Sequence, residues 1–162
     1  MFEYHLKNTK DKLKQLGIRV VDFDLNRPWG AFFCIDEMHA QLFSDYFFGG
    51  IDINDLRIIG KLSPKILIVK PNVKLSWQYH NRRAEIWQVY YGEIGVIMSK
   101  NDIQTKMQIY RPGDQIKIEM GMRHRIVGLE GYGIVAEIWQ HTEILPSDEC
   151  DIVRVEDDFG RN

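Results

Sequence analysis

From Lys65 onward the chain alternates short apolar, β-branched or aromatic runs with clusters of turn-forming residues. KILIVK runs into Pro71-Asn72, EIWQVYY into Gly92, GVIMS into Lys100-Asn101-Asp102, and MQIY into Arg111-Pro112-Gly113-Asp114. KLSWQYH, QIKIEM, HRIVG and GIVAEIW complete the series. Runs of this length and composition form strands, and the residues between them supply turn chemistry. No helical pattern separates them, so they must pair with one another, which predicts an antiparallel sandwich or barrel over residues 65–140. The N-terminal part reads differently. Leu6, Leu13 and Leu16 recur among lysines and predict a helix stopped by Gly17, and residues 37–48 (EMHAQLFSDYFF) predict a second, ended by Gly49 and Gly50. The expectation is one all-β domain over residues 1–162. It comprises a helical and strand extension packed on the barrel (1–62), a barrel core (63–140) and a tail (141–162).

In KLSWQYH the two-residue period of a strand sets Lys74, Ser76, Gln78 and His80 on one face and Leu75, Trp77 and Tyr79 on the other. The apolar face needs cover. Together with Tyr46-Phe47-Phe48 it suggests a homodimer, unless the helix-like segment at 36–48 supplies that cover within the chain. Glu85 has the opposite parity to Gln78 and His80, so it joins them only if Asn81-Arg82-Arg83 turns the chain onto an antiparallel strand. There it shares a face with Trp87, Val89 and Tyr91, where a carboxylate is costly unless paired or metal-bound. The result is Q-x-H-x4-E-x6-G. A second block, G-x5-E-x-G-x2-H-x3-G, runs from Gly113 and delivers His124, with Gly121 allowing a sharp reversal just before it.

Bulk properties narrow the function classes. The apolar share of 44% and charged share of 27% are those of a globular protein. A net charge of −2 gives no electrostatic case for nucleic acid or acidic membranes. No apolar run reaches the roughly 18–20 residues needed to span a bilayer, and MFEYHLKNTKDKLKQLG lacks the pattern of a signal peptide, so a cytoplasmic protein is expected. Cys34 and Cys150 read as free thiols. His5, His39 and His141 stand without ligand-like neighbours and read as surface or packing residues, with His141 able to approach the barrel mouth. Trp77, Trp87 and Trp139 read as core.

The two blocks resemble the two motifs of the cupins, whose usual form is H-x-H with a following glutamate, then a later histidine. Gln78 in the first position is similar to mannose-6-phosphate isomerases, where a Q-x-H pair, a glutamate and a later histidine bind zinc. Arg27-Pro28-Trp29-Gly30 resembles the entry motif of the type II isomerase domain. Val69-Lys70-Pro71, Leu75-Ser76, Arg83-Ala84-Glu85 and Trp87 resemble its central block, and His124-Arg125 its second block. Asp151-Ile152-Val153-Arg154, Glu156-Asp157-Asp158 and Gly160-Arg161 resemble its C-terminal signature. The chain departs from the pattern at Asn81, Arg82, Ile86 and Glu119, and its length leaves no room for a preceding nucleotidyltransferase domain.

The resemblance implies a cupin fold, a double-stranded β-helix or jelly-roll barrel, with one or two short N-terminal helices. It implies one divalent metal on Gln78, His80, Glu85 and His124: zinc first, with manganese, iron, cobalt or nickel also suited to N and O ligands. The implied partner is a small phosphorylated sugar, interconverted between aldose and ketose through a cis-enediol. Lys65 and Glu119 are the acid–base candidates; Glu119 also reads as a solvated turn residue. Arg83, Arg154 and Arg161 are the substrate-binding candidates, guanidinium being suited to phosphate. The departures near the ligands favour an alternative, a non-catalytic sugar-binding or regulatory cupin. A dioxygenase is disfavoured by Gln78, and a metal-free nucleotide-sugar epimerase by Glu85.

Overall fold

The computed structural model describes residues 1–161. The runs read as strands form β3 (Lys65–Val69), β4 (Trp77–His80), β5 (Arg83–Tyr91), β6 (Ile94–Ser99), β7 (Gln108–Tyr110), β8 (Gln115–Ile118), β9 (Arg123–Gly128) and β10 (Gly133–His141). Upstream lie β1 (Val20–Arg27) and β2 (Gly30–Ile35), and downstream β11 (Ile152–Glu156). They build two antiparallel sheets, a six-stranded one in the order β1-β2-β3-β10-β5-β8 and a five-stranded one in the order β11-β4-β9-β6-β7. The two sheets pack as the double-stranded β-helix that the resemblance implies.

Alternation along the strands of the larger sheet sorts its apolar residues into two cores. Leu67, Val69, Trp87, Val89 and Val135 face inward and meet Ile94, Val96 and Ile126 of the smaller sheet. Their neighbours Ile66, Ile68, Ile86, Ala136 and Ile138 face outward, under a layer that includes Leu6, Leu13, Phe43 and Phe47. That layer comes from α1 (Phe2–Gln15) and α2 (Ala40–Phe47), the two helices expected from the sequence, with Gly17 just past the first and Gly49 and Gly50 just past the second. A short α3 (Ile53–Leu56) was not legible in the sequence pattern. Burial on both faces explains why the apolar residues of β10 do not alternate with exposed polar ones; Glu137 is the charged residue in its buried run.

One expectation needs correction. Strict alternation along KLSWQYH is broken, because Lys74 bridges Val127 while Gln78 sits opposite His124, leaving one extra residue on the 74–78 side. This bulge turns Leu75 into the interior core and leaves Trp77 outside it, as the parity change requires. Trp77 is only 1% exposed, and its indole N–H donates to the Asp102 carbonyl at 2.9 Å, so the β6–β7 loop covers it. Phe47 and Phe48 are also buried within the chain. Of the surface that suggested a homodimer, Trp77, Phe47 and Phe48 are thus covered within the chain, while Tyr46 is 52% exposed and Tyr79 half-buried. Segments read as extension and tail also belong to the sheets: β2 pairs with β3, and β11 pairs with β4 with Arg154 opposite Gln78.

Candidate metal centre

β4 carries Gln78 and His80 to the inner face, and β9 sets His124 directly opposite Gln78. The turn after His80 brings Glu85 in from β5 in the other sheet. Gly121 makes the reversal before β9 with φ +79°, and its N–H donates to the His80 carbonyl at 2.9 Å, tying that reversal to β4. At the centre, His80 Nε2 lies 3.0 Å from Glu85 Oε1, and His124 Nε2 lies 3.7 Å from Glu85 Oε2. One ligand atom from each of these three buried residues falls within 4.8 Å of the others.

The imidazoles are held from behind. His124 Nδ1 is 2.8 Å from the Met122 carbonyl, and His80 Nδ1 is 3.3 Å from the Asp151 carbonyl. A proton on each Nδ1 satisfies those contacts and aims both Nε2 lone pairs at Glu85, the arrangement metal-binding histidines use. His124 Nε2 is buried and has no hydrogen-bond partner among the described residues. Burial holds the His124 imidazole neutral, with its pKa lowered to about 4 even though the Glu85 carboxylate opposes that shift. Gln78 completes the group: its Nε2 is 3.5 Å from His80 Nε2, and Ser76 Oγ bonds its Oε1. Rotating the amide by half a turn keeps the Ser76 bond and presents oxygen to the centre. Two neutral imidazoles, one carboxylate and one amide oxygen suit a divalent ion, and the unpartnered His124 nitrogen is a donor without a proton to bind.

Arg83 supplies the positive charge on the protein's side. It is 2% exposed, its Nε donates to Glu85 Oε1 at 2.8 Å, and its Nη2 lies 3.1 Å from His80 Nε2. Nη1 reaches Ser147 Oγ at 2.8 Å, and the guanidinium stacks 3.6 Å from the Trp139 ring centre. Burial alone would raise the Glu85 pKa. The Arg83 charge beside it outweighs that and holds the carboxyl well below its ordinary value. Arg83 thus bonds Glu85 and His80 while also lining the cavity over them.

A cavity of about 80 Å³ opens over this centre, lined among others by Arg27, Lys65, Glu137, Trp139, Arg154 and Arg161. Lys65 Nζ sits 3.6 Å over the Trp139 ring and 3.9 Å from Glu149, placing this acid–base candidate on the cavity wall. Arg154 also lines the wall, and its buried Nε has no hydrogen-bond partner among the described residues. Arg161 is held by Asp157 through bonds of 2.6 and 3.0 Å. Glu119 is exposed, in the turn where its carbonyl accepts the Met122 N–H, and is not among the cavity residues. His141 is buried between Ser63 Oγ and the Ser147 N–H, as a packing histidine.

Sequence reasoning missed Glu137 and Asp151. Glu137 is buried on β10, and the Trp87 indole N–H is shared between its Oε1 at 3.1 Å and Glu85 Oε2 at 3.0 Å. Burial, then the Glu85 charge, raise its pKa to about 8. The available signal was a lone carboxylate in the apolar run GIVAEIW. Asp151 accepts the backbone N–H groups of Asn81 and Arg82 at 3.1 and 2.9 Å and so fixes the β4–β5 turn. No spacing rule points to it.

Two antiparallel sheets wound into a jelly roll, with two histidines and a glutamate converging at the cavity floor, define a cupin. Residues 50–157 match the mannose-6-phosphate isomerase C-terminal family, and the chain belongs to that family. It is 28% identical over 154 residues to a mannose-1-phosphate guanylyltransferase of Salmonella montevideo, a match covering 94% of this chain and 26% of that protein. Among solved structures, an oxalate decarboxylase of Bacillus subtilis superposes with a TM-score of 0.58 at 15% identity, over 83% of this chain and 30% of that one. The capsular polysaccharide assembling protein CapF of Staphylococcus aureus gives 0.56 at 14% identity, over 83% and 34%. At these identities the two structures speak for the fold alone.

Proposed function

We propose that this protein is a metal-dependent aldose–ketose isomerase acting on a phosphorylated sugar through a cis-enediol. The observation that carries the reading is the convergence of His80, Glu85 and His124 within 4.8 Å beneath a cavity walled by cationic side chains. A divalent ion held by these residues and Gln78, zinc first, supplies Lewis-acid polarisation of the sugar carbonyl. Arg154, with a buried Nε still to be satisfied, binds the phosphate, and Arg161, fixed by Asp157, adds positive charge at the same wall. Lys65 donates to a sugar oxygen. The cavity admits the reacting end of an open-chain sugar and leaves its phosphate at the mouth.

Purified protein should carry about one equivalent of transition metal, and coupled assays with mannose 6-phosphate, fructose 6-phosphate and a heptose phosphate test the reaction. Absence of turnover on all three at full metal occupancy would refute the isomerase reading. The Arg83 hydrogen bond to His80 Nε2 favours a second reading, a sugar-binding cupin in which a guanidinium fills the metal's place. Sugar phosphate binding without metal and without turnover is its signature.

A further inference from the structure

Among the residues of the cavity wall, Glu137 is held by one hydrogen bond and by no ion pair among the described residues. The apolar strand around it needs no carboxyl for packing, and among the described residues no lysine, arginine or histidine nitrogen forms an ion pair with it. Its hydrogen-bond donor is the Trp87 indole N–H, which it shares with Glu85. Strand register sets it beside Lys65 on β3 and Trp87 on β5, with Trp139 two residues along on the same face. A buried carboxyl kept unpaired is unfavourable, and a Gln or Met would fill the same space at lower cost. The shared indole N–H places it next to the ligand carboxylate, at the reacting end of the cavity.

We propose that Glu137 is the catalytic residue that carries hydrogen between C1 and C2 of the open-chain sugar phosphate. This rests on the isomerase reading above. In the forward direction the Glu137 carboxylate takes the C2 hydrogen as a proton. The C2–H electron pair becomes the C1=C2 double bond, and the carbonyl π pair moves to O1, which accepts a proton from the Lys65 ammonium. The neutral Lys65 amine then takes the O2 proton, C2=O forms, and the C1=C2 pair takes the proton held by Glu137 at C1. One hydrogen has moved from C2 to C1 and one from O2 to O1. Glu137 and Lys65 end as they began, and no oxidant or reductant is required.

The test is Glu137→Gln, which keeps the acceptor for Trp87 and the side-chain volume, read beside wild type for metal content, KM, kcat and deuterium uptake. The expected result is a kcat lower by about 10²–10⁴-fold, with metal content and KM held, and with the deuterium that wild type takes up by exchange of the Glu137 proton with D2O before its return to C1 no longer appearing in recovered sugar. Glu137→Asp, which retains the acid on a shorter arm, should recover part of the rate and is the working variant if the glutamine form does not fold. A Glu137→Gln protein that keeps more than about a tenth of wild-type kcat, or that loses its metal along with activity, overturns the assignment. Wild type without turnover removes the isomerase reading and this assignment with it. An active wild type with an equally active Glu137→Gln removes the assignment alone.

Discussion

Replacing Arg83 by methionine removes the full positive charge bonded to Glu85 while keeping most of the buried stem volume. The guanidinium makes bonds of 2.8 Å to Glu85, 3.1 Å to His80 and 2.8 Å to Ser147, and stacks on Trp139. Both partners of the Arg83–Glu85 pair are 2% exposed, so solvent does not replace what is lost. Deleting one member of a buried pair costs about 3–5 kcal/mol, chiefly because the other charge is left without a counter-ion. The metal-free variant should therefore unfold about 4 kcal/mol more easily. Urea titration followed by tryptophan fluorescence, in chelator at pH 7, measures this. A divalent cation bound at the same ligands replaces the missing charge, and it no longer meets a like-charged guanidinium or competes for His80 Nε2. Zinc should thus bind Arg83→Met at least about tenfold more tightly than wild type, since two unit charges 4 Å apart repel by about 4 kcal/mol at an effective dielectric constant of 20. The double variant Arg83→Met/Glu85→Gln should be less destabilised than the two single losses summed, by about 2 kcal/mol or more. A metal-free loss below about 1 kcal/mol, or additive single losses, would refute charge compensation as the role of Arg83.

His124→Ala removes the unpartnered Nε2 while its neighbours remain, so zinc content should fall to a small fraction of an equivalent in elemental analysis, with the far-ultraviolet circular dichroism of the barrel retained. Acid sensitivity follows from burial: His124 and His141 titrate near 4 in the folded protein against 6.5 for the free side chain. The unfolded chain therefore takes up protons first. Their contribution is whole above pH 6.5 and is lost as pH falls towards 4, up to about 3 kcal/mol for each. Urea midpoints of metal-free protein at pH 7, 5.5 and 4 should fall steadily, and a flat profile would show that these histidines are not held neutral by the fold. Arg154→Ala should weaken binding of a sugar phosphate roughly 10–100-fold, the worth of a charge-assisted hydrogen bond, while leaving binding of the unphosphorylated sugar unchanged in calorimetry.

The barrel was legible because its runs and turns are local signals: each strand from β3 to β10 coincides with an apolar run whose ends are marked by Gly, Pro, Asn or Asp. Alternation misleads where a bulge intervenes. Leu75 and Gln78 both face inward because one residue is unmatched between them, and nothing in KLSWQYH announces it. β11 was hidden because its pairing with β4 spans more than seventy residues, and IVRVE alone is an ordinary exposed alternation. At the site, Gln78, His80, Glu85 and His124 could be grouped because residue type and spacing carry ligand chemistry. For Arg83 the sequence shows the position beside Glu85, but the tail contacts from Ser147 and Asp148 that hold the guanidinium against Glu85 and His80 belong to the tertiary fold. Glu137 shows the reverse case. Its anomaly was local and visible, and only the cross-strand register gave it a place beside Lys65 and Trp87.

The departures from the isomerase pattern near the ligands bear on the cavity less than their position in the chain suggests. Ile86 has the opposite parity to Glu85, so it packs in the outer core with Leu6, Phe43 and Ile138, on the side of the sheet away from the centre. Asn81 and Arg82 meet the tail through their backbone N–H groups, which Asp151 accepts, and Arg82 adds an ion pair with Asp148 at 3.5 Å on the tail side. Glu119 points to solvent. What the cavity does depend on is the tail. Ser147 fixes Arg83, the Asp151 carbonyl orients His80, and Arg154 stands in register with Gln78. A barrel ending at β10 would retain its two cores and its three inward ligands. It would lose the contact that aims His80, one anchor of the cation beside Glu85, and the arginine proposed to bind phosphate. Truncation before Ser147 is therefore predicted to cost metal affinity and sugar phosphate binding before it costs the fold. The order of those losses, in zinc titration and thermal melting of the truncated chain, separates a tail that completes the site from one that merely caps the sheet.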